Sequence, residues 1–116
     1  MVRSELVDDP DMKELIAQFT RQLPQSVSDL QRQLDQGNLE ELARIAHRMK
    51  GAGGGYGFNQ ITELAAGAEK AIKDSAPLTS IASRVNELID LIRRVNGYDS
   101  SREARPATKR ETRREA

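Results

Sequence analysis

Residues 39–58 read LEELARIAHRMKGAGGGYGF, from Leu39 to Phe58. Leu39, Leu42, Ile45, Ala46 and Met49 recur at helical spacing and form one apolar stripe. Asn38 precedes the stripe as an N-cap, with Glu41 at N3, close to a capping box. The stripe then runs into Gly51, Gly53, Gly54, Gly55 and Gly57. Each glycine inside a helix costs about 1 kcal/mol relative to alanine. Gly51 and Gly53 fall where the helix should still be running, so something other than helix stability selects them. His47 lies on a flank of the stripe, with Ala43 at i−4, Lys50 at i+3, Gly51 at i+4 and Gly54 at i+7. The imidazole is thus ringed by very small residues and one ammonium. Clearing space for another protein to approach the ring would explain the glycines. On spacing alone the commoner reading is plainer: a boundary histidine, and glycines that stop a helix.

The same periodicity extends outward in both directions. Upstream, Met12, Leu15, Ile16, Phe19 and Leu23 form a stripe opened by Asp9 as N-cap and Pro10 at N1. Pro24 disfavours the α conformation at Leu23, which predicts a break there and a second helix with Val27, Leu30 and Leu34, ended by Gly37. Downstream, a helix beginning near Phe58 or Asn59 carries Ile61, Leu64, Ala65, Ala68 and Ile72. After Ser75–Pro77, the stripe Leu78, Ile81, Val85, Leu88, Ile92, Val95 steps 3-4-3-4-3 and stops at Gly97. No strand alternation or hairpin signal interrupts the pattern. Helices with one apolar stripe and short connections predict an all-α, up-down four-helix bundle with a short extra N-terminal helix. The expected organisation is a leader over 1–8, the bundle over 9–98, and a charged, disordered tail or linker over 99–116. The last sixteen residues carry six basic and three acidic side chains and almost nothing to bury.

Composition narrows the function. Eighteen Lys and Arg balance eighteen Asp and Glu, which argues against a strongly steered nucleic-acid binder. With no Cys and one His, thiol nucleophiles, disulfides and multi-histidine metal sites are excluded. Aromatics are 3 %, too few for base-stacking platforms. No apolar run could span a membrane and no leader peptide opens the chain, so the expected location is cytoplasmic.

The segment from Leu42 to Phe58 resembles the signature of histidine-containing phosphotransfer (HPt) domains: His47, a variable Arg48, aliphatic Met49, Lys50 and Gly51, then small residues to Gly55 and a later Gly57. The likeness extends from about Asp9 to Asn96. It implies a four-helix bundle with an exposed phospho-accepting histidine in a multistep two-component phosphorelay. His47 matches that histidine, Lys50 the basic neighbour of the phosphoryl group, and Glu69 the following-helix position that orients the imidazole. Ala43, Gly51 and Gly54 would present the low docking surface. The implied partners are response-regulator receiver domains, with a hybrid histidine kinase as a further candidate. The Mg²⁺ of the reaction is expected on the receiver, and no cofactor in this chain. The expected protein is a monomeric carrier with no ATP site. A degenerate HPt-like bundle acting as a phosphorylation-independent adaptor is the alternative. The presence of both His47 and Lys50 weighs against it. Neutral imidazole suits the carrier role, because it is a competent nucleophile near pH 7.

Overall fold

The computed structural model describes residues 2–104. Four helices account for most of them: α1 (Pro10–Gln36), α2 (Leu39–Gly55), α3 (Asn59–Lys73) and α4 (Leu78–Arg93). Consecutive helices pack together, and α1 against α4 closes the ring into a four-helix bundle. Its centre is filled by Leu23, Val27 and Leu30 of α1, Leu42, Ile45 and Met49 of α2, Ile61 and Ala65 of α3, and Ile81, Val85, Leu88 and Ile92 of α4. The stripes read from the sequence supply this core, except that Leu15 and Leu78, toward the outer ends of their stripes, are exposed.

The caps are those the sequence specifies. The Asp9 carboxylate accepts a hydrogen bond from the Asp11 N–H at 2.9 Å. The Asn38 side chain accepts from the Glu41 N–H at 3.3 Å. Gly37, at φ 69°, ends α1.

The break expected at Leu23-Pro24 does not occur. Pro24 lies inside one continuous 27-residue helix, so the extra N-terminal helix and the first bundle helix are a single element. A proline in a helix interior costs about 3 kcal/mol, through a lost N–H and a clash one turn back. Phe19, Leu23, Val27 and Leu30 are all buried along one face of α1. Each is worth about 1.5–3 kcal/mol of burial. A chain redirected at Pro24 would lose that common face, and several buried side chains outweigh one strained turn.

Both ends are tied to the bundle by hydrogen bonds. The segment expected as a leader is pinned: the Val2 N–H donates to the Arg94 carbonyl at 2.8 Å, and the Asn96 N–H to the Val2 carbonyl at 2.7 Å. Ser4 is buried, and its hydroxyl donates to the Tyr56 carbonyl at 2.6 Å. It meets the chain at Gly57, where φ is 85° and a Cβ would collide with the Ser4 Oγ. Glycine is required there on both counts.

At the other end, α4 stops at Arg93, short of Gly97. The start of the expected tail is ordered. Ser100–Arg102 form a 3₁₀ turn. Glu103 takes two hydrogen bonds from the Arg93 guanidinium, at 2.8 and 3.0 Å, and one from the Tyr98 hydroxyl. The Ala104 N–H donates to the Ser28 hydroxyl of α1 at 2.7 Å. A bidentate ion pair anchored on α4 supplies what composition could not reveal. The rest of the expected tail, 105–116, lies outside the described residues.

Candidate functional site

α2 carries His47 on its outer face, one residue after the buried Ala46 and two before the buried Met49. Its ring is 65 % exposed. Lys50 follows one turn later. Facing them from α3 is Glu69, whose side chain is only 6 % exposed. The three residues singled out from sequence therefore converge across the α2–α3 contact. His47 Nδ1 lies 3.0 Å from Glu69 Oε2, and Lys50 Nζ lies 2.9 Å from Oε1. An ionised carboxylate can only accept, so Nδ1 bears the hydrogen. In the neutral ring the lone pair is then on Nε2.

Lys73 completes the cluster, and sequence reading missed it. Its Nζ lies 3.0 Å from Glu69 Oε2, the same oxygen that takes the imidazole hydrogen bond. The signal was available: Lys73 is four residues after Glu69, the spacing that brings acid and base together on a helix, and it sits in the last turn of α3. Hydrogen bonds from Lys50, then from Lys73, with a smaller one from His47, hold the Glu69 carboxyl down at about 2; burial pushes the other way and loses.

The α2–α3 contact also fixes where Lys50 stands. The Thr62 hydroxyl donates to the Lys50 carbonyl at 2.7 Å. Helix α2 runs through the glycine cluster to Gly55 with no positive φ before Gly57. The cluster divides by direction. A Cβ on Gly51 would meet nothing within 4 Å, and one on Gly54 would stand 3.4 Å from Thr62 Oγ1. Both glycines are exposed, and Ala43 on the same flank is half-buried. Gly53 is buried instead. Its Cβ would come within 2.8 Å of Thr62 Oγ1 and 3.0 Å of both Ile61 Cβ and the Phe58 carbonyl oxygen. Gly53 does not clear space around His47, as the sequence suggested; it lets α3 approach α2.

This is an exposed imidazole on a buried carboxylate, beside two ammonium groups, and the sequence around it matches a family model described as Hpt domain over residues 14–98, well over half of the chain. The chain belongs to the Hpt domain family. Hpt domains take part in phosphotransfer in two-component phosphorelays as phosphocarriers, with no ATP site of their own, and their partners are response-regulator receiver domains. No curated protein and no solved structure matches the chain. No helix of this Hpt domain, among the described residues, is long and apolar enough to cross a membrane.

Proposed function

We propose that this Hpt domain accepts a phosphoryl group on His47 Nε2 from the aspartyl phosphate of one receiver domain and passes it to the aspartate of another. The observation that carries this reading is the 3.0 Å contact between His47 Nδ1 and Glu69 Oε2 beneath a largely exposed ring. An Nδ1–H donated to Glu69 leaves the lone pair on Nε2, which supports Nε2 as the nucleophile. In the step, the Nε2 lone pair attacks phosphorus, the bond from phosphorus to the aspartyl oxygen breaks, and the aspartate leaves as carboxylate. No proton need move. The ring, still bearing hydrogen on Nδ1, becomes formally cationic, and Glu69 is placed to stabilise that charge. Lys50 stabilises the phosphoryl oxygens. Its flexible stem lets it turn from Glu69 Oε1 toward the incoming group. The Mg²⁺ that assists the reaction belongs to the receiver. Ala43, Gly51 and Gly54 form the low surface on which that partner seats.

The test is transfer of ³²P from a panel of phosphorylated receiver domains to the purified protein. Acid-labile, base-stable label on this chain is the expected result. Absence of label from every receiver, in a folded protein that a small phosphodonor also fails to label, would overturn the assignment and leave an adaptor.

A further inference from the structure

Glu69 is asked to do two things that conflict. It must hold the imidazole hydrogen on Nδ1, yet a bare buried carboxylate against a histidine stabilises the doubly protonated ring, which has no lone pair to react. The side chains around Glu69 resolve the conflict. Oε1 is taken by Lys50 at 2.9 Å, and Oε2 is shared between Lys73 at 3.0 Å and His47 Nδ1 at 3.0 Å. Lys50 comes from α2 and Lys73 from α3. Neither α1 nor α4 brings a cation within ion-pair distance of Glu69 among the described residues. Arg44 and Arg48, neighbours of His47 along α2, are both exposed, and Arg44 pairs with Glu41 at 3.6 Å.

We propose that Lys73 is a positioning residue for the chemistry at His47: by sharing Oε2 it offsets the carboxylate's charge, so that Glu69 orients the imidazole without making it a stronger base. The same balance keeps the phosphoryl transferable. Phosphorylation makes the ring cationic, and an unbalanced Glu69 would hold the phosphorylated form too tightly for onward transfer. Two lysines around one carboxylate leave its hydrogen-bonding geometry while reducing its field at the ring. The inference rests on His47 being the phosphoryl acceptor for its meaning, but not for its test, which uses the unphosphorylated protein and no partner.

The chain has one histidine, so its imidazole resonances are unambiguous in NMR. Titration of wild type, Lys73→Met, Glu69→Gln and the double variant forms a cycle. In Lys73→Met the His47 resonances titrate at higher pH than in wild type, since the carboxylate now acts on the ring with less opposition. In Glu69→Gln they titrate at lower pH. In the Glu69→Gln background, Lys73→Met has little further effect, because without the carboxylate the exposed Lys73 ammonium is no longer held beside the ring. Lys73→Arg retains the wild-type midpoint. Thermal melts identify any variant that has lost its fold, and the Lys73 side chain is two-thirds exposed. No movement in Lys73→Met, or the same upward movement with and without Glu69, overturns the proposal. Failure of every receiver to label the protein, with this cycle intact, would instead count against the phosphotransfer reading alone.

Discussion

Gly51 and Gly53 stand two residues apart in α2, about 200° apart around the helix. Gly51 faces open space, while Gly53 is pressed against Thr62, Ile61 and the Phe58 carbonyl. One residue type thus answers two separate demands. Outside, under the proposed phosphotransfer, the absent side chain would leave a surface low enough for a partner to reach His47. Inside, it lets α3 come close enough for Glu69 to meet His47 at 3.0 Å and for Thr62 to hold the Lys50 carbonyl at 2.7 Å. The outer face would then govern access to the histidine, and the inner face the geometry behind it. Substitutions on the two faces should fail in different ways.

The largest effect is expected at the outer face itself. His47→Gln keeps the fold and loses all phosphoryl acceptance, as no second histidine can substitute. Labelling by phosphorylated receivers and by phosphoramidate, with circular dichroism on the same sample, checks both halves.

Leucine at each glycine tests the contrast directly. Gly51→Leu gains about 1 kcal/mol of helix stability. It blocks receiver-dependent transfer while phosphoramidate still labels His47. Gly53→Leu is overpacked against groups that include a backbone oxygen, and costs about 2–3 kcal/mol. For a domain of this size that lowers the melting temperature by on the order of 10 °C. If the two variants lose stability alike, or if Gly51→Leu transfers at the wild-type rate, the division of the cluster is wrong.

A smaller effect belongs to Lys50, which reaches from the outer face to the carboxylate. Lys50→Ala removes one charge-assisted contact, worth about 1.5–3 kcal/mol in the transition state. Rapid-quench transfer rates should fall roughly tenfold to a hundredfold, with circular dichroism showing that the helical fold is retained.

A further effect concerns the inner face and pH. The Glu69 carboxyl is held at about 2 in the folded protein, below its ordinary 4.5. A depressed folded value means that the unfolded chain takes up the proton first as pH falls. The stabilisation is complete above about pH 4.5 and is lost on the way down to about 2. Glu69→Gln should flatten that part of the acid-unfolding curve, measured as stability against pH between 5 and 2, and leave the neutral region's slope unchanged. An unaltered acid limb would mean that the lysines do not hold the carboxylate as the geometry indicates.

How much was legible depends on distance along the chain. The helical stripes, the caps at Asp9 and Asn38, and the grouping of His47 with Lys50 are local patterns, and each is present in the fold. Glu69 was legible only through family resemblance, since nothing within α2 points to a residue 22 positions away. Lys73 was within reach as the i+4 partner of Glu69, but its meaning depends on which oxygen it shares. The order at residues 99–104 was invisible, because Glu103 gains its place only from Arg93 and Tyr98, and Ala104 only from Ser28.

The sequence by itself determined that this chain makes amphipathic helices with a histidine outside one stripe. Periodicity, capping and one-turn spacings are properties of neighbours a few residues apart, and they hold in any fold that buries the stripe. Only the tertiary structure decided that α1 passes straight through Pro24, that Gly53 and Gly51 serve different faces, and that three cationic or ring nitrogens meet on one buried carboxylate. Each of these outcomes is a competition between a local preference and the burial or charge supplied by another helix. Such competitions are settled by what lies across the contact, which no single stretch of sequence contains.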